Sequence, residues 1–115
     1  MKMTSDMSGD LQIIKVLDKR IDAAAAIKFK DTMKELTADQ SAPVVLDLSE
    51  VDFVDSSGLG AIVASMKHLG GARPLHLAGL TPIVAKVFML TRMEKVFKIF
   101  GTTAEAEKSC EAKIA

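Results

Sequence analysis

Residues 44–69, VVLDLSEVDFVDSSGLGAIVASMKHL, decide the fold of this chain. The stretch begins with an almost continuous apolar run, residues 44–48, which is typical of a strand covered on both faces. A turn leads to a second extended run, residues 51–54. After the polar segment Asp55-Ser56-Ser57-Gly58, apolar residues recur at helical spacing over residues 59–69. A buried strand that leads through a polar turn into a helix is a unit of α/β folds.

The sequence on either side of this stretch alternates strands with helices. Strands are predicted at residues 11–17, 73–78 and 96–100, and helices at residues 23–36, 82–90 and 102–113. Such an order produces a sheet covered by helices, with right-handed crossovers between parallel neighbours. The predicted fold class is therefore α/β, with one mixed sheet of four or five strands and about four helices. Residues 1–115 are predicted to form one domain, in which residues 1–9 are a loose segment with a weak edge strand near its end.

The starts of two helices and their buried faces are predicted from residue types and spacing. Asp22 and Thr81 are N-cap types, and Pro82 suits the first helical position. The side chains predicted to face the core are Ile27, Met33 and Leu36 in the helix after Asp22, and Ile83, Val84, Val87 and Leu90 in the helix after Thr81. Each of these helices is thus expected to pack one apolar stripe on the sheet.

The composition excludes several classes of function. The chain has 115 residues, a mass of 12.3 kDa, 49% hydrophobic and 26% charged residues, which are values of one globular domain. Lysine and arginine number 15, as do aspartate and glutamate, so the formal net charge is zero. A general nucleic-acid binder needs a basic surplus. The apolar runs are shorter than the roughly 18 residues that a membrane helix requires.

The few cysteine and histidine residues indicate the compartment and argue against a metal site. Cys110 is the single cysteine, so no internal disulfide can form, and no secretory signal is visible at the start. We therefore expect a cytoplasmic protein. His68 and His76 are the only histidines and do not form a ligand pattern. No metal and no cofactor are expected.

The candidate site is the polar segment between the second extended run and the helix. In an open α/β sheet, ligands bind at the carboxyl ends of strands, and the first N–H groups of a helix attract a serine oxygen or a phosphate. A purely structural role is the alternative, because serine and aspartate are common N-caps. The face of the helix that is predicted not to enter the core carries Gly60, Ala61 and Ala64, followed by Lys67 and His68. A partner's backbone could approach such small residues closely.

The quoted stretch resembles the central signature of STAS domains, and in particular of the bacterial anti-sigma factor antagonists, or anti-anti-sigma factors. The matching features are the apolar strand, the Asp-Ser-Ser-Gly-Leu-Gly core and the helix after it. Asp22 with the two alanines after it resembles the Leu-Asp start of the family's first helix, with Ile21 in place of leucine. Residues 77–90 resemble the family's strand and the helix that begins at Thr/Ser-Pro. The resemblance covers roughly residues 11–99 and implies a single STAS-like domain.

The resemblance implies a partner switch controlled by phosphorylation of Ser56. The kinase is itself the anti-sigma factor, with a histidine-kinase-like ATPase fold. The unphosphorylated antagonist binds it and frees the sigma factor, the phosphorylated form lets go, and a phosphatase resets Ser56. We expect a monomer that contacts neither nucleic acid nor membrane. The residues implied in partner binding are Asp22, Asp55, Ser56, Ser57, Gly58, Gly60, Ala61 and Ala64.

Two roles within the segment stay open from the sequence. Asp55 can orient the Ser56 hydroxyl, bind amides at the helix end, or only form the turn. Ser57 is either a helix cap or an alternate phosphate acceptor. The chain also departs from the family at Lys19-Arg20, where Gly-Glu is common. This departure predicts a docking surface of reversed charge and puts the charge pattern of the partner in question.

Two other classes of function are weighed against this one. STAS-like domains also serve as accessory subunits of lipid-transport ABC ATPases and within other signalling complexes, such as chemotaxis-linked ones. An esterase-like enzyme would need a base within reach of its serine, and no motif places His68 or His76 there. We therefore predict a binding module and not an enzyme.

Overall fold

The computed structural model describes the backbone of residues 1–114 and the side chains of residues 1–109. The strands are β1 (Met3–Ser8), β2 (Leu11–Val16), β3 (Arg20–Ile21), β4 (Val44–Asp47), β5 (Phe53–Val54), β6 (Leu75–Ala78) and β7 (Ile99–Phe100). The helices are α1 (Ala26–Thr37), α2 (Ser56–Leu69), α3 (Pro82–Leu90) and α4 (Thr103–Ile114), with a short 3-10 helix at Met93–Lys95.

Five of the strands form one mixed sheet in the order β1-β2-β4-β6-β7. β1 is antiparallel to β2, and the remaining neighbours are parallel. The predicted α/β class, the five-stranded mixed sheet and the four helices are thereby confirmed. β3 and β5 form a separate two-stranded parallel sheet that was not predicted. Strands of two residues are too short to show a periodic pattern.

The start of the chain forms an edge strand, as predicted, but that strand is longer than predicted and leaves little of the segment loose. β1 pairs along its whole length with β2, from Met3 opposite Val16 to Ser8 opposite Leu11. Gly9 has a φ of +59° in the turn that joins the two strands. Because four of the six β1 side chains are exposed, the strand shows no apolar alternation in its sequence. Backbone pairing along the edge of the sheet therefore orders residues that looked loose.

The core lies mainly on one face of the sheet. Leu46 and Leu77 point to this face and pack in one cluster with side chains of α1, α2 and α3. On the opposite face, Val45 and Leu11 pack with Ala106 of α4. The central strands are therefore covered on both sides, as their apolar sequences predict.

Several predicted core positions are wrong. Ile27 in α1 is 68% exposed, and in α3 Ile83 and Leu90 are 64% and 77% exposed. The fully buried large side chains of these helices are Phe29 and Phe88. Met33 and Val84 are buried as predicted, so the face that packs on the sheet overlaps the predicted stripe on each helix only in part. Isoleucine and leucine remain on the outside because nothing within the described chain covers those faces.

The caps of two helices also differ from the prediction. α1 begins at Ala26, because a turn precedes it in which the Ala25 N–H donates to the backbone oxygen and to Oδ1 of Asp22, at 3.0 and 3.2 Å. Asp22 therefore caps this turn and not α1. Thr81 does precede α3, but its hydroxyl donates to the carbonyl oxygen of Val51 at 2.7 Å and makes no cap. The last strand is only Ile99–Phe100, because the N–H groups of Val96 and Phe97 donate to the carbonyl oxygen of Met93 in the turn that ends the 3-10 helix.

No helix within residues 1–114 is both long and apolar enough to cross a membrane. The side chain of Cys110 lies outside the described residues, so the disulfide prediction is not tested.

Candidate functional site

Ser56 is the first residue of α2 and follows β5 after one residue. β5 pairs with β3 in a register that places Arg20 opposite Phe53 and Ile21 opposite Val54. Asp22 and Asp55 follow these pairs on the two strands, so residues that are 33 positions apart in the chain meet at one end of the small sheet. The site thus lies at the end of the two-stranded sheet, and not at the end of a main-sheet strand as predicted. The reason is that the chain turns after β4 and forms a new pairing with β3.

Asp55 connects three segments of backbone through its carboxylate. As the N-cap of α2, it accepts a hydrogen bond at Oδ1 from the Gly58 N–H at 2.8 Å. Its Oδ2 accepts from the Ala23 N–H at 3.1 Å. Both oxygens are therefore used by backbone amides, which favours the amide-binding role over orientation of the Ser56 hydroxyl. Of the two roles left open for Ser57, the N-cap position is taken by Asp55, and Ser57 is the second residue of α2.

The surroundings of Asp55 keep it charged. The N–H of Gly58 that donates to this carboxylate holds the pKa of Asp55 below its ordinary value of 3.8. The amides of Ala23 and Ser57 and the positive charge of Arg20 act in the same direction, whereas desolvation opposes them. A carboxylate that accepts two amide hydrogen bonds is thus part of the folded structure of the site.

The two serines are open to solvent. Ser56 and Ser57 are exposed and lie in the first turn of α2. Neither hydroxyl has a hydrogen-bond partner among the described residues. The amides of this turn carry partial positive charge, which favours an added phosphate. The geometry allows modification of either serine without prior local unfolding.

Two of the small residues predicted to contact a partner are buried. Gly58 lies against β3, and a Cβ built on it would overlap the carbonyl oxygen of Ile21. Ala61 is 4% exposed and belongs to the main core cluster. These two residues therefore let α2 pack closely on β3 and the core, and they do not form a surface for a partner protein. The accessible small residues of α2 are Gly60, which has open space at its Cβ position, and half-buried Ala64.

The basic pair before Asp22 is neutralised by acidic neighbours. The Arg20 guanidinium lies 4.1 Å from the centroid of the Phe53 ring, and its Nε is 3.3 Å from Asp22 Oδ2. Lys19 Nζ is 3.8 Å from Asp52 Oδ2. With Asp55, which Arg20 also helps to keep charged, the two basic side chains face three acidic ones, so Lys19-Arg20 does not give this surface the positive charge that the sequence indicated. Arg20 was not predicted as a site residue, because the sequence does not show that Phe53 and Asp22 meet it.

Comparisons with known proteins identify the family of this chain. The family model of the STAS domain matches residues 7–106, so the chain belongs to the STAS domain family. A STAS-domain containing protein of Pseudomonas aeruginosa is 32% identical over 101 residues, which cover 86% of this chain and 99% of that protein. The anti-sigma-B factor antagonist of Listeria monocytogenes is 30% identical over 86 residues, which cover 74% of this chain and 75% of the relative.

A solved structure extends the similarity to the whole fold. The crystal structure of an anti-sigma factor antagonist from Mycobacterium paratuberculosis has a TM-score of 0.83 to this chain at 25% identity, and the match covers 94% of this chain and 92% of the other. The resemblance inferred from residues 44–69 is thereby confirmed at the level of the family and the fold.

Proposed function

We propose that this protein is an anti-sigma factor antagonist that binds an anti-sigma factor serine kinase while Ser56 is unphosphorylated and releases it after phosphorylation. A phosphatase then returns Ser56 to the binding form. The observation that carries the proposal is Ser56 itself, at the start of α2, whose exposed hydroxyl bonds to none of the side chains or backbone groups described in residues 1–109. The names of the Listeria and Mycobacterium relatives support the general role.

Phosphorylation at this position is expected to change binding and not the fold. A phosphate adds about 1.5 to 2 negative charges and three acceptor oxygens. At the N-terminus of a helix, the unpaired amides and the dipole favour this charge. A protein that covers the modified serine must remove water from the phosphate. This desolvation lowers the affinity of that protein for the phosphorylated form. Phosphorylation therefore changes the affinity for the partner and leaves the fold unchanged.

The placement of the histidines favours a binding protein over a serine hydrolase. His68 stands near the far end of α2, about 18 Å from Ser56 at the rise of an α-helix. His76 lies in β6, where its ring packs edge-on against Phe100. A serine nucleophile needs a base within hydrogen-bond reach. We accordingly propose a monomeric cytoplasmic binding module that does not itself catalyse a reaction.

The test compares wild type, Ser56→Ala and Ser56→Asp as baits in lysate of the source organism, with bound proteins identified by mass spectrometry. We expect Ser56→Ala to enrich a small ATP-binding kinase that Ser56→Asp loses. The recovered kinase is then incubated with ATP and each protein. It should phosphorylate wild type and the matched control Ser57→Ala, but not Ser56→Ala.

Two outcomes would contradict this proposal. Equal capture of the kinase by Ser56→Ala and Ser56→Asp would show that Ser56 does not control binding. Capture of a transporter ATPase or a receptor complex by both variants would instead favour an accessory subunit. Melting temperatures of the two variants within a few degrees of wild type would show that neither result comes from unfolding.

A further inference from the structure

A basic groove runs between α1 and α2 at the end of these helices that is remote from Ser56. It has a volume of about 370 Å³, and its apolar and small lining residues include Met33, Ala64 and Leu69. The charged lining residues are all lysines, Lys30, Lys34 and Lys67, and His68 lies beside them. The groove was not predicted, because its charges come from two helices that are separated in the sequence.

The basic residues of the groove have no acidic partners within the structure. Both ion pairs among the described side chains, Lys19–Asp52 and Arg20–Asp22, lie at β3 and β5 and involve none of the groove's lysines. Asp31, the acidic residue beside Lys30 in the chain, does not line the groove. The three lysines are therefore available to a ligand from outside.

Stabilisation of helix ends explains only part of this arrangement. Lys34 lies in the last turn of α1 and Lys67 in the last turn of α2, where cations offset the helix dipole. Two helix ends carry about one negative charge together. The lysines exceed this charge, and Lys30 lies outside the last turn. The groove thus keeps a positive surplus.

We propose that this groove binds an acidic segment of the protein that docks at Ser56. The inference rests on the proposed function and adds the chemistry of the partner's second contact. The exposed face of α2 continues from Ser56 past Gly60 and Ala64 to the groove, so one partner can cover both. The surface at Ser56 has no surplus of basic side chains, whereas the groove does. The groove, and not the surface at Ser56, therefore selects partners that carry negative charge.

The groove and Ser56 are expected to act separately. Lys67 is about 16 Å from Ser56 along α2, which exceeds the Debye length of about 8 Å at physiological salt. A phosphate on Ser56 is thus screened from the groove. The groove contributes affinity and speed of association in both phosphorylation states, and Ser56 supplies the switch.

The test uses a fluorescein-labelled hexaglutamate peptide titrated with the full chain and followed by fluorescence anisotropy. The groove variant is Lys34→Glu/Lys67→Glu. The matched control is Lys28→Glu/Lys86→Glu, which makes the same charge change at exposed lysines that do not line the groove. We expect binding by wild type, the control and Ser56→Asp, and about a tenfold loss in the groove variant. Amide chemical shifts should change in Lys34, Ala64 and Lys67.

Three results would overturn the inference. Equal losses of hexaglutamate affinity in the groove variant and the control would show that the peptide responds only to the net charge of the protein. Chemical shifts that change elsewhere would place the peptide on another surface. Tighter binding of a six-nucleotide oligothymidylate than of hexaglutamate would assign the groove to phosphate-rich ligands.

Failure of this inference can be told apart from failure of the proposed function. If the kinase binds Ser56→Ala equally well with and without the groove substitutions, the groove inference fails and the switch stands. If hexaglutamate binds in the groove but capture of partners does not depend on Ser56, the phosphorylation switch fails and the acidic-segment site stands.

Discussion

At the scale of single residues, Gly58 and Gly60 show that two glycines in one turn can serve different purposes. Gly58 is buried where α2 passes the backbone of β3, and a Cβ there would overlap the carbonyl oxygen of Ile21. Gly60 has no atom within 4 Å of its Cβ position. The first glycine permits the contact between α2 and β3, and the second leaves an open surface.

The pair provides a direct test of that difference. We expect Gly58→Ala to lower the free energy of unfolding by about 2 to 3 kcal/mol, because the backbone of β3 must move. Gly60→Ala, the matched control, should raise it by up to about 1 kcal/mol through the better helix propensity of alanine. Urea denaturation of both variants measures these changes. Equal stabilities would mean that α2 does not lie this close to β3.

At the scale of secondary-structure elements, Asp55 joins the start of α2 to the turn before α1. Its two carboxylate oxygens accept from Gly58 and Ala23, which belong to different elements. The small sheet of β3 and β5 brings these elements together. The position of Ser56 therefore depends on a short tertiary pairing and on one charged side chain.

This arrangement predicts a specific dependence of stability on pH. Because the pKa of Asp55 is lowered in the folded protein, the unfolded chain binds the proton more readily. The stabilisation is complete above the ordinary pKa of 3.8 and is lost as the pH falls through the lower folded value. Asp55→Asn should therefore be less stable than wild type at neutral pH, and the difference should narrow in acid.

Thermal unfolding from about pH 7 to about pH 2 measures this difference. Asp39→Asn, a change at an exposed loop aspartate, is the control and should follow wild type throughout. A constant gap between Asp55→Asn and wild type down to the lowest pH would show that the charge of Asp55 contributes nothing.

At the scale of the whole molecule, β1 closes one edge of the main sheet. It pairs along the whole of β2, whose own side chains are mostly buried. Met1 and Met3 pack against the main core. The first residues of the chain thus protect an apolar strand from becoming the edge of the sheet.

Removal of residues 1–8 is expected to lower the melting temperature by several degrees and to cause self-association, since β2 then offers unpaired backbone groups at the edge. Thr4→Ala/Asp6→Ala is the control, because both side chains are exposed and the backbone pairing remains. Melting curves and size-exclusion chromatography distinguish the two proteins. A shortened chain that melts like wild type and stays monomeric would contradict a stabilising role of β1.

Residues close together in the chain account for what was predicted correctly. The strand–turn–helix order of residues 44–69, the end of that helix near Gly70 and the helix start at Thr81-Pro82 all follow from local patterns. The STAS resemblance follows from the same stretch. Ser56 could therefore be proposed as the phosphate acceptor from the sequence.

The sequence by itself determined the α/β order of elements, the family and the place of the Asp55-Ser56-Ser57 segment at the start of a helix. Only the tertiary structure decided that Gly58 and Ala61 are buried, that Ile27 is exposed, and that Arg20 is balanced by Asp22. It also decided the pairing of β3 with β5 and the basic groove between α1 and α2. The physical reason is that these features depend on which faces of distant elements meet, and periodicity within one element leaves that choice open.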